Sequence, residues 1–388
     1  VRKAWDDFLV GPAFEAGLFL AEYQEEIDQL KKPCSLPKLT GHHFREKLKT
    51  RPASKAGGAD GWRSAEIKKI PACILQIFAD IVFLVETTDQ DWPDALPFCP
   101  TGVLDKKEGP LPLKKRPITL MPILYSTYTG IRFNQSTEWQ NMVFPDNLFG
   151  GRPKRSTAGA ELPSLVKLQE AMCRGRDPAQ PQDPEIATNQ DRSKCFDRFK
   201  AEFSIPVASA LGFNSGVLRA VSKFYTRHRR VFRIGQSVGG AFATTSLVQG
   251  CAFSLLLVNS IFSVYCHRIL HKCSGVAPAI FVDDIKLRTQ LSNIEGLKKA
   301  LGEGDLFDQL TNQRLNHCKC TLSCSKPSIA PQIVRRLDFK GRFATVTSSL
   351  GFTVATSTRK FRAKQNERVE TALISIAKID SAPSSKRL

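Results

Sequence analysis

Residues 279–287 read Ala-Ile-Phe-Val-Asp-Asp-Ile-Lys-Leu, and they place two adjacent aspartates, Asp283 and Asp284, between two short apolar runs. Apolar runs of this length on either side of a polar pair predict two β-strands joined by a tight turn. A third aspartate, Asp191, ends another strand-like stretch earlier in the chain. If these strands pair side by side, Asp191 faces the aspartate turn across a shared edge. The sequence therefore predicts three carboxylates gathered on one sheet.

Each of these aspartates also has an interpretation without chemistry. Aspartate is a common turn residue, so the pair Asp283-Asp284 can simply close a hairpin. Asp191 can cap a short helix, and Asp197 can cap a helix or pair with a cation. The apolar flanking strands favour a functional site, because like charges beside a buried core repel each other unless a cation neutralises them. Clustered carboxylates on a rigid support are what phosphoryl transfer with two divalent metals requires.

The composition indicates a globular protein with an anionic partner. The chain has 388 residues, of which 42% are hydrophobic, enough for a sizeable buried core. Its 56 Lys and Arg exceed its 37 Asp and Glu, which gives a net charge of +19 and favours nucleic acid ahead of a membrane surface as the partner. The longest apolar stretch, 251–265, is interrupted by Ser254, Asn259 and Ser260, and predicts a buried helix rather than a membrane span.

The chain contains 11 cysteines and shows no signal peptide. An odd number of cysteines indicates reduced thiols in an intracellular protein rather than a disulfide framework. The alternative is a zinc site at His317, Cys318, Cys320 and Cys324. The spacing of these cysteines is not that of the usual zinc modules, which favours ordinary reduced thiols.

Hydrophobic periodicity along the rest of the chain predicts a mixture of helices and strands. The stretches 52–62 and 174–184 are rich in glycine, proline or charged residues and predict loops. The tail from Pro331 is basic and partly strand-like. Helices are predicted near 13–31, 64–87, 125–140, 158–172, 205–225 and 294–311, and strands within 98–124 and 226–234.

Two further features accompany the aspartates. Phe196 follows Asp191 by five residues, close enough to overhang whatever binds at that carboxylate. The pair Gln249-Gly250 precedes the apolar stretch. Such a pair is typical of a turn, but its backbone can also approach a base pair where a side chain could not.

In this order, the blocks around Asp191, Gln249 and Asp283 resemble the palm motifs of reverse transcriptases, and most closely those of non-LTR (LINE-type) retrotransposons. Segments upstream and downstream also resemble motifs of this family and follow each other in the same order, so the resemblance spans about residues 53–355. These additional segments are 55–61, 116–120, 149–157, 315–319 and 349–352.

The chain departs from the family pattern at five positions. Prolines are usual where Gly57 and Ala59 stand, and again where Ala252 and Leu255 stand. Alanine is more usual where Val282 precedes the aspartate pair. None of these departures removes a metal ligand.

The resemblance implies an α+β right-hand polymerase with fingers and palm subdomains and a truncated thumb. The expected boundaries are an N-terminal helical extension over 1–52, fingers over 53–184, a palm with the catalytic carboxylates over 185–356, and the start of a thumb or a C-terminal tail over 357–388.

The resemblance also implies roles for individual residues. Asp191, Asp283 and Asp284 are expected to be the catalytic carboxylates and to bind two Mg²⁺ ions, with Mn²⁺ as an alternative. Phe196 is expected to be a steric gate that fills the space of a ribose 2′-hydroxyl. Contacts to the nucleotide are assigned to Lys106 (or Lys107), Arg116, Phe196, Gln249, Gly250 and Lys319, and contacts to template and primer to Arg152, Arg155, Arg229 and Arg230.

The predicted function is RNA-directed DNA synthesis from a primer 3′-hydroxyl, as part of a retrotransposon. The expected partners are an RNA template, a DNA primer and deoxynucleoside triphosphates, with no membrane partner and with the nucleus as the site of action. One alternative is an inactive nucleic-acid-binding remnant, against which the three retained aspartates argue. The other is an RNA-dependent RNA polymerase, which usually carries a polar residue where Phe196 stands.

Overall fold

The computed structural model describes residues 2–10, 15–105, 109, 111–174, 183–350 and 352–355. Helices and strands are mixed along these residues, which confirms the predicted α+β class. The α-helices are α1 (Arg2–Leu9), α2 (Ala16–Glu22), α3 (Gln24–Leu30), α4 (Gly41–Lys49), α5 (Ser64–Ile67), α6 (Ala72–Thr87), α7 (Ile123–Gln135), α8 (Thr137–Val143), α9 (Thr157–Arg174), α10 (Cys195–Arg198), α11 (Ala201–Ala210), α12 (Ser215–Arg227), α13 (Ala252–Lys272), α14 (Ile294–Thr311) and α15 (Ala330–Leu337). The strands are β1 (Phe98–Asp105), β2 (Lys115–Thr119), β3 (Glu185–Asp191), β4 (Arg229–Ile234), β5 (Ser237–Val238), β6 (Phe242–Ala243), β7 (Ala277–Phe281), β8 (Asp284–Gln290), β9 (Thr321–Cys324), β10 (Arg342–Phe343), β11 (Val346–Ser349) and β12 (Phe352–Ala355).

The described chain divides into two compact units, and each is built from segments that are distant in sequence. The first unit draws on Val1–Pro153, Arg192–Arg268 and Glu303–Arg314. The second draws on the described residues within Lys154–Asp191, Ile269–Gly302 and Leu315–Leu388.

The first unit contains a sheet of order β2-β1-β4-β5, with β6 also paired to β4. Strand β1 is antiparallel to β2 and parallel to β4. One face of this sheet is closed by α1, because Trp5 and Leu9 form a buried cluster with Phe232 and Phe242. Apolar side chains removed from water in this way stabilise the attachment of the N-terminal helix to the sheet.

Helix α13 begins at Ala252 and contains the apolar stretch except its first residue, Cys251. It is the one helix in the described part of the chain that is long and apolar enough to cross a membrane, but 89% of its most apolar window is buried inside the protein. Two of its polar side chains donate hydrogen bonds inside the protein: Asn259 donates to the carbonyl of Gly150 at 2.8 Å, and Ser260 donates to the carbonyl of Leu256 at 3.0 Å. The prediction of a buried core helix is confirmed.

The second unit contains a sheet of order β10-β9-β3-β8-β7. Strand β3 lies in the middle and is antiparallel to both β8 and β9. Helix α9 packs against β3 and β7. The predicted pairing of the strand that ends at Asp191 with the strand that follows the aspartate pair is confirmed.

Several predicted helices differ from the observed ones where tertiary packing turns the chain. The prediction over 205–225 divides into α11 and α12 around Gly212, which has a φ of +88° and where a Cβ atom would lie 2.3 Å from the carbonyl oxygen of Lys32. The predictions over 13–31 and 125–140 also each divide into two helices. The tail from Pro331, predicted to be partly strand-like, begins inside helix α15. Pro331 is compatible with the first turn of this helix, because backbone N–H groups there have no partner within the helix and their loss costs nothing.

The loop 52–62 is irregular, as predicted, and its glycines are packed closely. A Cβ atom at Gly57 would lie 2.1 Å from the carbonyl oxygen of Trp62, and one at Gly58 would lie 2.5 Å from the backbone nitrogen of Pro122. The loop therefore has no room at Gly57 for the proline that is usual in the family. Most of the predicted loop 174–184 lies outside the described residues.

Candidate active site

Asp283 and Asp284 lie at the tip of the β7–β8 hairpin. Phe281 pairs with Asp284, so Val282 and Asp283 form a two-residue turn. Val282 has a φ of +60°, in the left-handed region that a β-branched residue rarely adopts. Such a conformation costs about 1–3 kcal/mol and persists where the surrounding structure holds it. Here the paired strands hold the turn in the conformation that carries Asp283.

Asp191 ends β3 and is directly paired with Asp284 of β8. The Cα atoms of directly opposed residues in antiparallel strands are about 4.5–5.5 Å apart, and their side chains project from the same face. Asn316 holds Asp191 in place: its backbone N–H donates to the Asp191 carbonyl at 2.8 Å, and its side-chain amide donates to the Asp191 carboxylate at 3.2 Å. Asp191 does not cap the following helix, whose N-cap is Lys194.

Negative charge is concentrated at this edge of the sheet. Burial, and then the carboxylates of Asp283, Asp191 and Glu161, raise the pKa of Asp284 to about 7, while the ammonium of Lys319 acts in the opposite direction. A carboxyl group in this setting is only partly ionised near neutral pH. A divalent cation would offset the excess negative charge, so the electrostatics of the site fit a metal ion.

Asp191, Asp284 and Lys319 line a cavity of about 500 Å³ in the second unit. Carboxylate oxygens are the ligands that Mg²⁺ and Mn²⁺ prefer, so the donor chemistry also fits. Within the described ranges, no three His, Cys, Asp or Glu side chains converge into a complete ligand group as they stand. The proposed zinc ligands are among the residues that do not converge: His317, Cys318, Cys320 and Cys324.

Lys286 and Glu161 also line this cavity, although the sequence reasoning did not identify them. Their side chains form an ion pair that is almost completely buried. Lys286 lies two residues after Asp284 on β8, and the alternation of side chains along a strand puts both on the same face. The sequence does contain a signal for this pair, which is the position of Lys286 in the interior of an apolar strand. A buried lysine requires a partner of opposite charge.

Phe196, Gln249 and Gly250 lie in the first unit. Phe196 is half-buried in the one-turn helix α10, and Gln249 and Gly250 form a turn before α13. The Gln249 amide donates to the carboxylate of Asp197 at 2.9 Å. Asp197 is fully buried, and it interacts electrostatically with the cations of Lys200 and Arg230, which agrees with its prediction as an acid that pairs with a cation. Its hydrogen bond fixes the orientation of the Gln249 amide.

The predicted phosphate-binding residues fall into different environments. Arg116 on β2 and Lys319 are exposed. Arg229 on β4 is exposed, and Arg155 is half-buried. Lys106 and Lys107 lie outside the described residues.

The assignment of Arg152 and Arg230 to template or primer is corrected by their burial, since they are only 4% and 1% exposed. Arg152 donates to the carbonyls of Pro145 and Leu148, and Arg230 donates to the carbonyl and hydroxyl of Ser246. These guanidinium groups satisfy buried backbone carbonyls inside the first unit and are shielded from an external phosphate.

Comparison with known families agrees with this site. The family profile described as Reverse transcriptase (RNA-dependent DNA polymerase) matches residues 104–361, about two thirds of the chain. No curated protein matches the chain. The matched range includes Asp191, the Gln249-Gly250 turn and the hairpin with Asp283 and Asp284. The chain therefore belongs to the reverse transcriptase family.

Proposed function

We propose that the protein is an RNA-directed DNA polymerase of the non-LTR retrotransposon type, which extends a primer 3′-hydroxyl by nucleotidyl transfer with two metal ions. The observation that carries this proposal is the direct pairing of Asp191 with Asp284 at the tip of the aspartate hairpin. Membership of the reverse transcriptase family supports RNA-directed DNA polymerase activity in general. The resemblance of the sequence blocks supports the non-LTR type, and action in the nucleus is proposed as part of that type.

The proposed architecture is a right hand with an N-terminal extension over 1–52, fingers over 53–184 and a palm over 185–356. The start of the thumb is assigned to 357–388, outside the described residues. The central position of β3 in its sheet supports the assignment of the palm, because a rigid sheet holds carboxylates in fixed positions.

Asp191, Asp283 and Asp284 are the residues that would hold Mg²⁺ or Mn²⁺. When bound, the ions supply stabilisation of negative charge on the reacting oxygens. Asn316 orients Asp191 through its two hydrogen bonds. The Lys319 ammonium lies at the same cavity and would stabilise the charge of the leaving pyrophosphate.

Residues of the first unit are assigned to the nucleotide and the nucleic acid. Phe196 would exclude a ribose 2′-hydroxyl, and Gln249, oriented by Asp197, would contact the nascent base pair. Arg116 would bind the triphosphate. The exposed side chain of Arg229, and the half-buried side chain of Arg155 in the second unit, would contact the phosphates of the RNA template and DNA primer.

Primer extension on an RNA template tests the proposal. The wild-type chain is expected to extend a DNA primer with Mg²⁺ and deoxynucleotides, and Asp283→Asn is expected to abolish extension. Binding of the primer–template should survive the substitution, because Asp283 carries no positive charge for the phosphates. Salt-sensitive binding without extension by the wild type would contradict the proposal and support a binding remnant.

A further inference from the structure

The sheet of the second unit carries a row of charged residues on one face. Along β8, Asp284, Lys286 and Arg288 are alternate residues, so their side chains project from the same face. Lys286 is paired with Ala279 on β7, and Arg288 is paired with Ala277. These small neighbours leave room for helix α9 beside the two cationic side chains, since α9 packs against β3 and β7.

Each cationic residue of this row has a carboxylate partner. The ammonium of Lys286 pairs with Glu161 of α9, and the guanidinium of Arg288 pairs with Glu185 of β3 at 2.7 Å. Glu161 and Lys286 are 2% and 5% exposed. A buried ion pair is weak evidence for stability, because desolvation of both charges offsets their attraction. The burial of this pair therefore points to a role other than stability.

The two ion pairs differ in position. Glu161 and Lys286 line the cavity that also contains Asp191 and Asp284, whereas Arg288 and Glu185 do not line it. The carboxylate of Glu161 also acts electrostatically on Asp284. Glu161 is thus a fourth carboxylate at the proposed ion site, and its side chain forms an ion pair with Lys286.

An ion that takes part in nucleotidyl transfer must keep coordination positions for the substrate. Mg²⁺ in such sites is usually bound through one or two carboxylates together with substrate phosphates. An additional carboxylate ligand increases the affinity for a divalent cation and occupies a position that the substrate needs.

We propose that Lys286 determines how the site binds divalent ions, by pairing with Glu161 and withholding this fourth carboxylate from the ion. The inference rests on the proposed function in assuming that Asp191, Asp283 and Asp284 hold the ion. Lys286 and Glu161 are positioning residues, which act on the ion site through their pairing with each other.

Binding of Mn²⁺ to the full chain, measured by electron paramagnetic resonance without nucleotide or nucleic acid, tests the inference. Lys286→Met removes the ammonium that pairs with Glu161 and is expected to tighten Mn²⁺ binding about tenfold. Glu161→Gln leaves Lys286 as a competing cation and is expected to weaken Mn²⁺ binding about tenfold. The double variant Glu161→Gln/Lys286→Met is expected to bind as the wild type does. Arg288→Met removes a cation from the other pair and is expected to leave the affinity unchanged.

The opposite signs of the two single substitutions distinguish this role from a structural one. If both single variants weaken Mn²⁺ binding, or neither changes it, the inference is overturned. Thermal unfolding provides a second measurement, since Lys286→Met removes one partner of a buried ion pair and destabilises the fold. Mn²⁺ is expected to raise the melting temperature of Lys286→Met more than that of the wild type or the double variant, and equal shifts overturn the inference.

Failure of the proposed function gives a different result. In that case the Asp283→Asn variant binds Mn²⁺ with the same affinity as the wild type, and the wild type does not extend a primer. The comparison among Glu161 and Lys286 variants uses no catalytic activity, so it is decided independently of primer extension.

Discussion

Asp284 shows how strongly one residue of this site depends on its neighbours. Its carboxyl group is partly buried and lies among Asp283, Asp191 and Glu161, and its pKa is therefore raised to about 7 from 3.8. In the absence of a metal ion, ionisation of this group works against folding. A bound divalent cation reverses this effect, because it favours the ionised carboxylate.

The raised pKa predicts how stability depends on pH. Between pH 4 and 7, roughly, the folded chain binds more protons at Asp284 than the unfolded chain does, so stability falls as pH rises through this window and is constant above it. At pH 8 with a chelator, Asp284→Asn is expected to be more stable than the wild type by roughly 2–4 kcal/mol. At pH 4 the two proteins should be nearly equal.

Melting temperatures of the wild type and Asp284→Asn across this pH range, with and without Mg²⁺, provide the measurement. Asn316→Ala is a suitable control, because Asn316 contacts Asp191 and its removal should lower stability at all these pH values. A difference between wild type and Asp284→Asn that does not change with pH would contradict the prediction.

Among the structural elements, the β7–β8 hairpin combines strong sequence signals with one unfavourable residue. Val282→Gly removes the steric conflict at a φ of +60° and is expected to stabilise the fold by about 1 kcal/mol. The same change makes the turn more flexible, so the rate of primer extension is expected to fall. Val282→Ala keeps a Cβ atom and should show a smaller gain in melting temperature. A lower melting temperature for Val282→Gly than for the wild type would exclude conformational strain at this position.

Elements whose signals are local were predictable from the sequence. The hairpin and helix α14, observed at Ile294–Thr311 as predicted, are specified by apolar periodicity within one segment. The break at Gly212 was not predictable, because it depends on the approach of Lys32 from far away in sequence. The burial of Arg230 was missed for the same reason: a basic run predicts a surface, and its burial depends on the carbonyl of Ser246.

At the scale of the whole molecule, the net charge of +19 predicts binding to nucleic acid that weakens with salt. Arg229 and Arg233 lie on the same face of β4, with their side chains exposed. Replacing both by alanine is expected to weaken primer–template binding. It should also reduce the slope of log K against log salt concentration by about one for each phosphate that the variant no longer neutralises.

Fluorescence anisotropy of a labelled primer–template over a salt series measures this slope. Arg45→Ala provides a control, because Arg45 is exposed on helix α4 and has no assigned contact with nucleic acid. An unchanged slope in the Arg229→Ala/Arg233→Ala variant would show that β4 does not contact phosphates.

The buried pair of Glu161 and Lys286 also constrains how this protein can evolve. Loss of either residue alone removes one partner of a buried ion pair between α9 and the sheet, which typically costs about 3–5 kcal/mol. Descendants of this sequence are therefore expected to keep both residues or to exchange both, for example for two apolar side chains that fill the same space. Positions 161 and 286 should then vary together in an alignment of related elements, and the correlation would record an ancestral pair of compensating changes.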